Sequence, residues 1–187
     1  VFLNIRDRKC VIVGGGEVAV RKARLLSRAE AKLHIIAPQL NTEMQSLCKA
    51  QAAVVTIGTF EPSQLAGAVL AIAATDDIKT NIAVSVAAKE FNIPVNVVDE
   101  PEYCTFITPA VVDRSPLVIA ISSSGSSPIL TRQVKALNET MLPARMAELA
   151  TLLREFREPV QESLSNFEDR VKFWEDVLDS EIPELIY

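Results

Sequence analysis

Histidine is nearly absent from this 187-residue chain, with His34 the only one. The three cysteines, Cys10, Cys48 and Cys104, lie far apart and form no CxxC pair. That scarcity excludes a His/Cys metal cage and leaves any serine nucleophile without its usual base. So few thiols make no disulfide framework either, and a reducing, cytoplasmic setting is the expectation. No apolar run reaches the ~20 residues needed to cross a bilayer, and no secretory pattern opens the sequence. A membrane partner is therefore not expected. The chain starts at Val1 rather than at a methionine, so a true start further upstream is expected.

A basic face is also lacking, which speaks against nucleic acid. The net charge is −5, and it is unevenly spread. Residues 143–187 hold 5 Lys and Arg against 11 Asp and Glu, whereas residues 1–142 hold 14 against 13. The acidity belongs to the tail, so an anionic ligand is expected elsewhere. Hydrophobic residues make up 49% and charged residues 23%, enough for a packed core.

The apolar residues recur in short runs: Cys10–Val13, Leu33–Ala37, Ala53–Ile57, Val69–Ala73 and Val95–Val98. Between them, helical segments are predicted at about Glu17–Arg28, Thr42–Ala50 and Asp77–Phe91, with a short one near Ser63–Ala66. Strands alternating with helices build a doubly wound parallel sheet, an α/β fold of Rossmann type. Its ligand crevice lies beyond the carboxyl ends of the strands. After Pro109 the pattern changes to two strands, Ala110–Val112 and Leu117–Ile121, and a serine-rich turn opening a helix to about Met141. Ser126 or Ser127 would cap that helix, with Pro128 in its first turn. Beyond Pro143 two or three amphipathic helices are predicted, with apolar residues at Met146, Leu149, Leu152, Leu153 and Phe156, then Phe173, Trp174 and Val177. The expected divisions are residues 1–108, 109–142 and 143–187.

Chemistry concentrates at the strand ends. The stretch Val11-Ile-Val-Gly-Gly-Gly-Glu-Val-Ala19 sets a glycine-rich turn between the first strand and first helix. Gly14 can take a conformation other residues avoid, Gly16 leaves room for a pyrophosphate, and Ala19 allows close helix–strand packing. Such a turn either binds a dinucleotide, with Gly14, Gly15, Gly16, Glu17 and Val18 against it, or simply joins strand to helix. The second strand ends at Pro38-Gln39, without the carboxylate that often holds a ribose and without an arginine for a 2′-phosphate. NAD is therefore expected rather than NADP. Thr75 and Asp76 either contact a ribose or belong, with Asp77, to a helix cap. Asn96 is either a cofactor contact or an ordinary strand residue. Asp99 ends the fifth strand and either accepts a proton, aided by partial burial, or shapes a turn before Pro101. Ser122, Ser123 and Ser124 offer hydroxyls to an anion or form a capped turn. Arg114 and Arg132 flank that cluster and either pair with carboxylates or are solvated.

Together these blocks resemble the amino-terminal region of siroheme synthase, the precorrin-2 dehydrogenase and sirohydrochlorin ferrochelatase family. The resemblance is carried by Leu3-Asn-Ile-Arg-Asp-Arg, the Gly14–Gly16 turn with Arg21-Lys-Ala-Arg-Leu-Leu, and Ala71-Ile-Ala-Ala-Thr-Asp-Asp. It continues in Asn96-Val-Val-Asp, Phe106-Ile-Thr-Pro-Ala, Asp113-Arg-Ser-Pro-Leu, Ser122-Ser-Ser-Gly-Ser-Ser-Pro and Phe173-Trp174. It implies a homodimer built on a Rossmann domain, a β-containing dimerisation segment and a helical carboxy-terminal domain. It further implies two reactions in one crevice: NAD-dependent oxidation of precorrin-2, then insertion of Fe²⁺ as a substrate. The family's catalytic aspartate falls on Asp99 and its active-site serine on Ser123. Ser124 stands where the commoner family text has glycine. Ser122, Ser124 and Arg114 are the implied contacts to the carboxylate-rich tetrapyrrole. No methyltransferase region is present in these 187 residues. Two other readings are a dehydrogenase without chelatase activity and a non-catalytic nucleotide-sensing module.

Overall fold

Cys10 and Ile12 face one side of a parallel sheet, while Val11 and Val13 face the other. All four are almost completely buried, because helices cover both faces of strand β1 (Lys9–Val13). The structure is a computed structural model describing residues 2–186. The chain divides into two compact units, Val1–Thr108 and Pro109–Tyr187.

In the first unit β1 is joined by β2 (Lys32–Ala37), β3 (Val54–Ile57), β4 (Leu70–Ala73) and β5 (Val95–Val97), all parallel, in the order β3-β2-β1-β4-β5. The chain turns from one side of β1 to the other after β3, so the crevice at the carboxyl ends of β1 and β4 is the switch point of the sheet. Helices α1 (Glu17–Arg28) and α2 (Thr42–Ala50) pack on the Cys10–Ile12 side. Helix α3 (Ile78–Glu90) and a short 3-10 turn, Pro62–Leu65, cover the other. Since only that turn follows β3, the edge strand stays uncovered, with Val54 61% and Ile57 65% exposed. Its apolar run resembles that of a core strand, yet it lies at the rim.

In the second unit β6 (Ala110–Arg114) and β7 (Leu117–Ile121) form an antiparallel hairpin. Helix α4 (Pro128–Met141) contacts both strands, and its first turn is capped by Ser127, whose Oγ accepts from Leu130 N–H at 3.2 Å. Four helices follow where two or three are expected from sequence: α5 (Met146–Glu155), α6 (Arg157–Ser163), α7 (Phe167–Leu178) and α8 (Ile182–Leu185). Pro159 sits in the first turn of α6, where its missing N–H costs nothing, so a new helix starts there. The Phe173 ring meets Trp174 edge-on at 5.0 Å. The second compact unit continues past Pro143, where α5 packs against β7.

Candidate functional site

Three of the first four helices begin with a side-chain cap. Asn41 accepts from Met44 N–H at 2.7 Å, Asp77 from Lys79 and Thr80, and Ser127 from Leu130. Helix α1 begins at Gly16, which has no side chain to offer. Its first-turn N–H groups are left for a partner from outside the chain.

The three glycines before it have different reasons to be glycine. A Cβ on Gly14, whose φ is +133°, would collide with the carbonyl oxygen of Ala74 at the end of β4. One on Gly15 would collide with the carbonyl oxygen of Gln39 at the end of β2. A Cβ on Gly16 would meet no protein atom within 4 Å. The protein's own packing therefore requires the first two, and the third faces open space. That space is a cleft of about 470 Å³ lined by Gly14–Val18, Ala37–Gln39 and Ala74–Asp76. Gly14, Gly15, Gly16, Glu17, Val18, Pro38, Gln39, Thr75 and Asp76 are thus brought together as the sequence suggests.

Hydrogen bonds hold the rim. Asn41 N–H donates to the Gly15 carbonyl at 3.0 Å and Ala74 N–H to that of Val13 at 2.8 Å. Buried Asn81 accepts from the Thr75 hydroxyl at 2.8 Å and donates to its carbonyl at 2.9 Å. Asp77 is a helix cap, and hydrogen bonds from Thr80 hold its carboxyl below the usual carboxylate range. Asp76 remains exposed at the cleft. Sequence reasoning missed Asn81, whose signal is an amide on a helix face of small and apolar residues.

At the far side of the sheet Asn96 is buried on β5, donating from Nδ2 to the Phe106 carbonyl at 3.1 Å, while its Oδ1 has no partner among the described residues. Asp99 does not end β5. The strand stops at Val97, and Asp99 sits in the following turn at φ +62°, exposed rather than partly buried. Lys22 on α1 lies near Asp99 and donates to the Thr108 hydroxyl at 3.1 Å. Burial pushes its ammonium below the usual lysine range, a shift that Asp99 opposes. Lys22 was not singled out from sequence, because its neighbours come from the other end of the unit.

The second unit treats its expected residues differently. Ser123 Oγ accepts from Ser127 N–H at 3.1 Å and from the Thr131 hydroxyl at 3.0 Å, closing the turn onto α4. Ser124 adopts φ +52°, the left-handed conformation that glycine takes without cost. The turn thus reaches a glycine-type conformation with serine in place. Ser122 and Ser124 are exposed. Arg114 is not directed at solvent as a free anion-binding group, because its Nε donates to the Leu142 carbonyl at 2.8 Å and its Nη1 to that of Asp113 at 3.0 Å. It satisfies one backbone acceptor just beyond the end of α4 and one on its own strand, a use that sequence spacing could not display.

His34 lies on β2 with Nε2 2.9 Å from the Thr56 hydroxyl, far in the chain from any serine of the cluster. Among the described residues no group of three His, Cys, Asp or Glu side chains could hold a metal ion. No described helix is long and apolar enough to cross a membrane.

A parallel sheet in this order, with an uncapped helix rising from a glycine turn at its switch point, defines a Rossmann-type dinucleotide-binding fold. The chain belongs to the family described as "Putative NAD(P)-binding", matched over residues 1–110. Residues 145–187 match the family described as the sirohaem synthase dimerisation region, which puts that label on the helical segment rather than on 109–142. Along its whole length the chain is 48% identical to a siroheme synthase of Nitrosomonas eutropha and 48% identical to one of Methylobacillus flagellatus. It spans about 40% of the length of these relatives. Among solved structures, "SirC, precorrin-2 dehydrogenase" superposes with a TM-score of 0.76 at 22% identity, covering 98% of this chain and 90% of that one. This last likeness establishes the fold.

Proposed function

We propose that the chain is an NAD-dependent dehydrogenase of siroheme biosynthesis, oxidising precorrin-2 to sirohydrochlorin. The observation that carries this reading is Gly16, whose missing side chain nothing in the protein requires, at the mouth of an uncapped helix. Bound there, NAD⁺ would supply a hydride acceptor. Gly14–Val18 would hold its pyrophosphate, with Pro38 and Gln39 on one flank and Thr75 and Asp76 on the other. No lysine or arginine is among the residues lining the cleft, and Glu17 and Asp76 add negative charge. A 2′-phosphate would meet no counter-charge there, which supports NAD over NADP. Asn96, whose buried Oδ1 has no partner among the described residues, suits an amide donor from the cofactor.

Oxidation of precorrin-2 removes a hydride and a proton. Asp99 is the proposed acceptor of the proton, its exposed carboxylate free to reach a substrate N–H or C–H. Lys22, whose ammonium is near Asp99, would place a positive charge beside the reacting substrate. Ser122 and Ser124 expose hydroxyls to substrate carboxylates, and Ser123 holds their turn in shape. In a second step Fe²⁺ would enter sirohydrochlorin as its two N–H protons leave, guided by the seating of the macrocycle rather than by a protein cage. The protein is further proposed to act as a homodimer in the cytoplasm. Helix α4 buries none of its residues within the chain, and Ile129, Leu130, Leu137 and Met141 are all more than half exposed.

Anaerobic incubation with precorrin-2 and NAD⁺, followed by Fe²⁺, tests both steps. NADH and sirohydrochlorin are expected first and siroheme second. NADH without siroheme would leave a dehydrogenase alone. Neither product, with NAD⁺ still bound, would point to a nucleotide-sensing module.

A further inference from the structure

Strand β5 lies at the edge of the sheet, yet Val95 and Val97 are almost fully buried, so their outward backbone groups need partners. The returning chain supplies them with side chains. Val95 N–H donates to the Thr105 hydroxyl at 2.8 Å, and Thr105 N–H donates back to the Val95 carbonyl at 2.8 Å. Two residues on, the partner is a sulfur. Cys104 Sγ accepts from Val97 N–H at 3.1 Å and from Asn96 Nδ2 at 3.5 Å. Its S–H lies within reach of the carbonyls of Val97, 3.2 Å away, and Glu100, 3.4 Å away, and serves one at a time.

Val97 and Glu100 are the two ends of the turn carrying Asp99, closed by Glu100 N–H donating to the Val97 carbonyl at 3.3 Å. Asp99 takes φ +62° within it, a left-handed conformation that aspartate reaches more readily than most residues and that sets where its side chain leaves the turn. Among the described residues Cys104 is the one side chain bonded to both ends of this turn and to Asn96 as well. We propose that Cys104 is a positioning residue, whose thiol fixes the direction in which Asp99 presents its carboxylate. The inference rests on the reading of Asp99 as the proton acceptor.

Three variants test it: Cys104→Ala, Cys104→Ser and Asp99→Asn, together with the Cys104→Ala/Asp99→Asn double variant. With the thiol removed, the amides of Val97 and Glu100 exchange faster, kcat for precorrin-2 oxidation falls about tenfold or more, and NAD⁺ affinity by calorimetry stays within about twofold. Serine, which can still accept and donate on a shorter bond, restores at least part of both the protection and kcat. In the Asp99→Asn background the alanine change adds no further loss, since there is no longer a base to aim. A merely structural thiol would lower thermal stability and cost the same factor in both backgrounds.

A deep Asp99→Asn defect with full kcat in Cys104→Ala overturns the positioning role alone. Near-normal Asp99→Asn activity overturns the base assignment and this inference with it. Should Cys104→Ala fail to fold, Cys104→Ser carries the test. Faster exchange at Val97 and Glu100 must then accompany a lower kcat, and either change without the other overturns the proposal.

Discussion

Gly14 and Ala74 approach so closely that a single added carbon on the glycine would strike the carbonyl oxygen of the alanine. The ends of β1 and β4 are thereby held at a spacing only glycine permits, and the cleft opens directly above them. Gly14→Ala should therefore cost stability, through the collision and through its φ of +133°. Gly16→Val should leave the melting temperature nearly unchanged and weaken NAD⁺ more than tenfold, about 1.4 kcal/mol or more. Calorimetry and thermal melting on the two variants check both halves. Unchanged NAD⁺ affinity in folded Gly16→Val would remove the glycine turn from the site.

Asp99→Asn should retain the turn, because asparagine tolerates the same left-handed backbone. Dehydrogenation is expected to fall about 10²–10⁴-fold with NAD⁺ affinity barely altered. Fe²⁺ insertion into supplied sirohydrochlorin should fall less, since its N–H protons can leave to water. NADH formation and siroheme formation, followed side by side, are the readouts.

NADP⁺ should bind more weakly than NAD⁺, as the cleft lining offers two carboxylates and no cation to a 2′-phosphate. Replacing Gln39 with arginine should narrow that gap. Equal affinities for both cofactors in the unaltered protein would contradict this account of the ribose end.

A homodimer is expected at micromolar concentration by light scattering. Charged substitutions at Ile129 and Leu137, both exposed on α4, should shift it toward monomer if this helix lies in the contact. A dimer that survives both changes would move the contact to the helical segment 145–187, which matches the dimerisation family.

Cys10 is wholly buried in β1, and burial pushes its thiol from an ordinary value of 9.0 up to about 11. The folded protein then holds this proton more firmly than the unfolded chain does. The associated stability is complete below pH 9 and is lost as the pH rises toward about 11. Thermal melts across that window should show a decline that Cys10→Ala lessens, and the native thiol should resist alkylation at pH 8.

The limits of α1 and α2 could be read from sequence because their determinants are local: Gly16 and Asn41 at the starts and the amphipathic spacing that follows. The glycine turn and the strand-end positions of Gln39 and Thr75 were legible for the same reason. The strands were less so. Ala53–Ile57 has the composition of a core strand, and only the missing helix after it leaves β3 at the rim. Asp99 was visible as a strand-end carboxylate, but its turn depends on a sulfur from Cys104 and a return along β5. Arg114 was visible as a cation, and only the path of α4 sends it to backbone carbonyls. Side chains whose partners lie far along the chain carry no periodic signal.

The strand order gives the two ends of the proposed site different mechanical characters. The glycine turn grows from β1, which is paired on both sides and buried on both faces, so its amides should be among the last to exchange with solvent. The Asp99 turn hangs from an edge strand three residues long, held by side chains instead of another strand. Nucleotide would dock on a stiff anvil, while the proposed proton acceptor would sit on a turn whose alignment a handful of side-chain bonds decides.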